Sequence, residues 1–347
     1  LQTGEGAPDY CDVNITAFGT FFDYEEIPFL TLTDLVADER DVYVQAKLDI
    51  YSTGGELYGA PSQLGGTVVY YNTDITEAAD VDIDSIVTWD DYVAAGKQVL
   101  EKTGKPMTVI ETTDMAPFQA MVLQKGSDFL DAEGNVILDC ETIELLEYLK
   151  SWMDDGIAIP MPGGGNASEI FYEFFNNSGA ASVILPMWYM SRLTEYMPDL
   201  SGKIAVRPMP VWDPEDTEAY TTACTGGNGA VITNQCESPE LAKDFLYFCK
   251  MSYDAQVQCY EMLGYAPYRT DAWEDPALQI ELPYFCNENV FKNVSESLKK
   301  ANAIHNFALV PEAFNAVSSN VMYNVFETKT QTPAEALTEA AEALRNY

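Results

Sequence analysis

The chain has 347 residues, 47% of them hydrophobic, which is enough for two cored domains of ~100–200 residues each. Its 55 acidic residues against 18 basic give a net charge of −37. That excludes nucleic acid as a partner, because phosphates need cations to neutralise them, and it disfavours an anionic membrane surface.

No apolar run reaches the ~18 residues of a membrane span, and no signal peptide opens at Leu1. The acids are scattered rather than in blocks, so solubility is their first role. Seven cysteines form no CxxC pair and there is a single histidine, His305. Zinc fingers and iron–sulfur ligation are excluded on that count, and neither a metal nor a cofactor is expected. An odd cysteine number leaves at least one thiol free in a monomer. In an exported protein that fits a poorly oxidising habitat, although buried structural cysteine is the plainer reading.

Gly6-Ala7-Pro8-Asp9 leads into Tyr10-Cys11-Asp12-Val13 as a loop entering a strand. Asp12, Asn14 and Thr16 follow it, where open α/β sheets place ligands. Residues 38–50 read as helical. Tyr58-Gly59-Ala60-Pro61 is a Gly/Pro-punctuated loop. The β-branched and aromatic run Thr67-Val68-Val69-Tyr70-Tyr71 then reads as a buried strand stopped by Asn72-Thr73-Asp74. Asp80-Val81-Asp82-Ile83-Asp84 lacks the glycine and final glutamate of a calcium loop, so it reads as a solvated turn. Thr88 caps a helix whose first turn carries Asp90 and Asp91. Trp89, Tyr92, Val93, Gly96, Val99 and Leu100 lie on its apolar face, which makes Trp89 a core residue.

Residues 106–110 form a short strand, followed by a polar, Pro-broken loop containing Asp114 and by a helix beginning at Phe118. Residues 131–138 read as a turn and strand. Asp139 caps a helix with Leu145, Leu146, Leu149, Trp152 and Met153 in one stripe, ended by Gly156. Residues 160–165 are a flexible connection whose glycines lack dinucleotide-loop spacing. Ile170, Phe171, Phe174 and Phe175 make one helical face. Residues 179–187 form a buried strand, read as parallel from its continuous apolar run Val183-Ile184-Leu185, and Pro186 ends it. Trp188 and Tyr189 emerge at its carboxyl end. Ser238 caps a helix with Pro239 at its first position and Leu241, Phe245, Phe248 and Cys249 facing inward. A later helix packs Val290, Phe291, Val294 and Leu298. Thr332-Pro333-Ala334-Glu335 is a capping box opening a terminal helix with Ala336, Leu337, Ala340, Ala341 and Leu344 inward.

In order and spacing these stretches resemble the extracellular solute-binding proteins, family 1, the carbohydrate-type receptors of ABC importers. Tyr58-Gly59-Ala60-Pro61 with Tyr70-Tyr71-Asn72 resembles that family's "YGvP…yYN", its first interlobe crossing. Thr88-Trp89-Asp90 resembles "pTWdEl", and residues 179–188 "GkaAM…g.W". Thr225-Gly226-Gly227-Asn228-Gly229-Ala230 is similar to "gG.g.aI", the second crossing, Ser238-Pro239-Glu240 to "npe.A..F", and Gly264-Tyr265-Ala266-Pro267 to "g..Par", the third. The resemblance implies a two-lobed α/β periplasmic-binding-protein-like fold with several crossings and a ligand cleft between the lobes. It implies that residues 1–63 and 228–266 form one lobe, and 64–227 and 267–347 the other. A strand–helix–strand unit precedes Tyr10 in the family, so at least ~30 further residues are expected upstream in the natural protein, bearing an N-terminal lipid.

The implied function is capture of a sugar or oligosaccharide outside the cell, by a monomer, and its delivery to an ABC transporter permease. The alternatives are a receptor for a polyamine or amino-acid derivative, which the acidic balance keeps open, and a secreted carbohydrate-active enzyme. Against an enzyme, His305 has no nucleophile elbow near it, and among 55 acids a carboxylate pair carries no signal. Sugars need aromatic faces for their C–H surface and planar polar groups for their hydroxyls. The expected ligand-binding aromatics are Trp188, Tyr189, Trp212 and Tyr268. The expected polar groups are Asp12, Asn14, Gln63, Asp114 and Asn228.

Overall fold

The computed structural model describes residues 6–347; what was expected of residues 1–5 lies outside that range. Two three-stranded sheets frame the molecule. In the first, Tyr10–Asn14 pairs antiparallel with Asn228–Ile232, placing Asp12 opposite Ala230, and Ala60–Pro61 adds to the other side. In the second, Thr67–Asn72 is central and buried along its whole length, flanked by Ser182–Pro186 and Ile204–Pro208.

Both flanking strands run antiparallel to Thr67–Asn72, with Val69 opposite Ile184 and Arg207. The parallel reading of residues 183–185 is corrected by this pairing. A continuous apolar run reports burial on both faces but not chain direction. Parallel pairing occurs instead between Thr108–Ile110 and Ala158–Pro160.

Three stretches cross between the sheets side by side. Residues 62–66 join Ala60–Pro61 to Thr67–Asn72, and residues 224–227 run against them: Thr225 donates its N–H to the Gly65 carbonyl at 3.0 Å and Ser62 to that of Asn228 at 3.0 Å. The third stretch is tied in by Leu64, whose N–H donates to the Ala266 carbonyl at 2.9 Å. Asn306 lies near these crossings and donates through Nδ2 to the carbonyls of Ile50 (2.9 Å) and Ile15 (3.4 Å).

The helices follow their caps. Trp89–Thr103 starts in a capping box: Thr88 Oγ1 accepts from the Asp91 N–H at 3.1 Å, and Asp91 Oδ2 accepts from the Thr88 N–H at 2.8 Å. Pro333–Arg345 repeats the device with Thr332 and Glu335. Asp139 caps Cys140–Asp154 through the Glu141 N–H. Trp89, Tyr92 and Trp152 meet in one aromatic core, and Trp89 Nε1 donates to Gln124 Oε1 at 2.8 Å. That polar pair satisfies an indole that is otherwise wholly buried.

Elsewhere the local expectations shift. Residues 38–50 split into a short 3-10 turn, Arg40–Val42, and a helix, Gln45–Asp49. Residues 131–138 hold only an isolated bridge between Leu130 and Val136. The inward face expected of Pro239–Leu246 is reversed. Leu241, Phe245 and Phe248 are 69%, 53% and 72% exposed, while Leu246 and Met251 are buried. The helix carries apolar residues on two faces, and the sheet beneath takes the second. Phe245 keeps an edge contact with Tyr10, at 5.7 Å between ring centroids. All seven cysteines are free.

Candidate functional site

Where the crossings run past the strand ends, the two sheets enclose a cavity of about 350 Å³, within the ~300–1,000 Å³ range of small-molecule sites. One wall comes from the turn after Tyr10–Asn14, bringing Asn14, Ile15 and Thr16. Asn14 caps Ile15–Phe18, its Oδ1 accepting from the Thr16 N–H at 2.9 Å and from Thr16 Oγ1 at 2.7 Å. The floor is the second crossing, Thr225, Gly226 and Gly227, fixed to that wall by the Ile15 N–H donating to the Gly227 carbonyl at 3.0 Å.

Trp188 stands opposite, at the cap of Tyr189–Tyr196. It is half-buried, its Nε1 donates to the Thr225 carbonyl at a long 3.4 Å, and its ring meets Tyr189 edge-on. Gly226 has φ +66°, and a Cβ built on it would lie 3.4 Å from Trp188 Nε1. A left-handed backbone conformation and a close indole both favour glycine there.

The remaining wall is the loop after Thr108–Ile110. Glu111 is only 1% exposed. Its Oε2 accepts from the Ala116 N–H at 2.8 Å, and its Oε1 from Asn166 N–H at 2.9 Å and Nδ2 at 2.6 Å. The loop is held down by the Thr112 and Thr113 N–H groups, which share the Gly164 carbonyl at 2.8 and 3.0 Å. Burial, and then the neighbouring Asp114, push the Glu111 carboxyl up to about 8, against the pull of its donors toward the charged form. Asp114 is exposed at the cavity rim, and partial desolvation from its protein side raises it too. Thr67, Gln119 and Phe314 also line the cavity, with Ile184, Leu185 and Pro186 at the end of their strand.

Of the residues expected from sequence, Trp188, Asn14 and Asp114 line this cavity. Gln63 lies just behind the floor, buried, with no partner for Oε1. Asn228 is exposed and accepts from Ser62 through its carbonyl, while Asp12 is 3.5 Å from Lys250; neither lines the cavity.

Tyr189, Tyr268 and Trp212 are drawn inward. Tyr189 is buried and donates its hydroxyl to the Asn166 carbonyl at 2.7 Å, so it props the wall from behind. Tyr268 is buried, stacked on Tyr43, with its hydroxyl on the Lys250 carbonyl at 3.0 Å. Trp212 packs on Trp89 and Tyr148 under the Lys125 ammonium. A buried aromatic satisfies its polar tip with a backbone carbonyl as readily as with a ligand, so the residue type alone does not separate the two.

Glu111 and Asn166 were missed. Glu111 follows the final residue of a strand, the same signal that singled out Trp188.

A two-lobed α/β framework, three chain crossings and an aromatic-and-polar cavity at their junction define a protein that encloses a small ligand between lobes. The sequence profile of the bacterial extracellular solute-binding proteins matches residues 2–250, and the chain belongs to that family. It is 40% identical over 349 residues to an arabinooligosaccharide-binding protein of Halalkalibacterium halodurans, covering 99% of this chain and 77% of the relative. It is 39% identical over 350 residues to one of Bacillus subtilis, covering 99% and 80%. Its fold is similar to that of an ABC-transporter-associated binding protein of B. animalis subsp. lactis solved with β-1,6-galactobiose, with a TM-score of 0.82 at 20% identity, covering all of this chain and 86% of that one.

Proposed function

We propose that this chain captures a short arabino-oligosaccharide, or a sugar close to it, outside the cell and delivers it unchanged to the permease of an ABC importer. The observation that carries this reading is the half-buried Trp188 indole in a cavity that sets carboxylates, amides and threonine hydroxyls among apolar residues such as Ile184, Leu185 and Phe314. A flat apolar face beside planar acceptors and donors suits a sugar ring. Trp188, Asn14 and Asp114 are its first contacts, with Glu111 and Asn166 behind them.

The test is calorimetric titration with arabinotriose, with lactose and spermidine as the contrasting arms. Saturable one-site heat with arabinotriose supports the reading, and silence with it refutes the reading. Ligand at 100 times Kd should also add ~2.7 kcal/mol of stability.

We further propose that residues 1–63 with 228–266 make one lobe and 64–227 with 267–347 the other. Sheet membership supports this, since Tyr10–Asn14, Ala60–Pro61 and Asn228–Ile232 share one sheet and Thr67–Asn72, Ser182–Pro186 and Ile204–Pro208 the other. The protein acts as a monomer without nucleic acid, which sizing by light scattering checks. A lipid anchors the full-length form, which partition into detergent micelles checks.

A further inference from the structure

Among the described residues, the cavity lining carries two acidic side chains, Glu111 and Asp114, and no lysine, arginine or histidine. The acids stand on one loop, three residues apart in sequence, one buried and one open to the cavity. The cations that come near are turned elsewhere. Lys47 is fully buried behind the floor with its ammonium on the Gly226 carbonyl, and burial pulls its pKa down. Arg192 gives its guanidinium to the Tyr172 hydroxyl at 2.8 Å and to the face of Tyr196. The amides and hydroxyls of the lining are neutral.

We propose that Glu111 and Asp114 set the charge of the ligand, so that the cleft admits neutral sugars and rejects those bearing a carboxylate. The inference rests on the sugar reading above. An anionic sugar would give up part of its water on entering the cavity, meet like charge there and find no cation in the lining to pair with. At the low effective dielectric of such a site, charges a few ångström apart interact far more strongly than in water. Burial, and then Asp114, already push Glu111 up to about 8, so the surroundings disfavour negative charge before any ligand adds more.

Calorimetry with three probes made from one sugar tests this: arabinotriose, the neutral alditol obtained by reducing its end, and the aldonate obtained by oxidising it. Comparing alditol with aldonate isolates charge from ring opening. The titrations are run at 0.15 M and 1 M NaCl, where the Debye length falls from ~8 to ~3 Å. That removes the long-range field of the net charge of −37 but leaves groups beside the ligand unscreened.

The aldonate should bind at least about tenfold more weakly than the alditol in both salts. Asp114→Asn should narrow that ratio, whereas Glu133→Gln, which removes an exposed acid outside the lining, should not. Where Asp114→Asn binds too weakly to compare, Glu111→Gln is scored on the same ratio. Equal affinities, a gap that vanishes at 1 M NaCl, or a gap that survives both cavity variants would overturn the proposal while leaving the sugar reading in place. Silence from all three probes would remove the sugar reading and the proposal together.

Discussion

Replacing Trp188 with alanine tests the site most directly. In the free protein the indole is half-buried, makes one long hydrogen bond to Thr225 and leans edge-on against Tyr189. Its loss removes little from the core, and the fold should survive. In the complex the exposed part of the ring would be covered. If ligand shields ~60 Å² of it, at ~25 cal/mol/Å² the contact contributes ~1.5 kcal/mol, about tenfold in Kd. Trp188→Phe keeps a flat face with less area and should fall between alanine and the parent. Titration with arabinotriose measures the effect, with circular dichroism as the folding control. A folded Trp188→Ala protein whose Kd stays within about twofold of the parent would show that the indole faces the cavity without touching ligand.

Other outcomes follow from the same geometry. Thr88→Ala removes one half of the capping box at Trp89–Thr103 and should destabilise the fold by ~1 kcal/mol, read as a shift in the urea midpoint; no shift would mean that packing alone holds this helix start. His305, the only histidine, lies 3.5 Å from Asp128, whose hydrogen bond raises its pKa. A raised folded value means that the stabilisation is complete below the unfolded pKa of ~6.5 and is lost as pH rises through the folded one. The single histidine resonance should therefore titrate above ~6.5 and return toward it in Asp128→Asn; a midpoint that ignores the variant would discount the pair. Arabinotriose incubated with the protein should be recovered intact by chromatography, and turnover abolished by Glu111→Gln or Asp114→Asn would contradict a pure binder.

Much of the fold was legible because its signals are local. The capping boxes at Thr88 and Thr332 and the buried run at Thr67–Asn72 each write their structure within a few residues. What pairing decides was not legible. Ser182–Pro186 meets Thr67–Asn72 across more than a hundred residues of chain, and its apolar run reads alike in either direction. The site divided on the same line. Trp188, Asn14 and Asp114 were found from their places at strand ends and on the loop after a strand. Glu111 met the strand-end criterion and was passed over, because one acid among 55 carries no composition signal. Tyr268 and Tyr189 were named for their chemistry, but their hydroxyls are taken by the carbonyls of Lys250 and Asn166. Only the three-dimensional neighbourhood reveals that.

The uncovered face of Leu241, Phe245 and Phe248 has a practical bearing on all these titrations. Three large side chains, two of them aromatic, stand clear of the core on one side of a single helix, and contiguous apolar surface of this kind brings molecules together as concentration rises. At millimolar protein, in a syringe or an NMR tube, self-contact through that helix would compete with the high negative charge that keeps the molecules apart. High salt would tip the balance by screening the repulsion while strengthening the apolar contact. Dilution heats at each salt concentration therefore belong beside every binding isotherm. A Phe248→Ser protein, altered only where the ring meets water, provides the quieter background against which a sugar's own heat can be read.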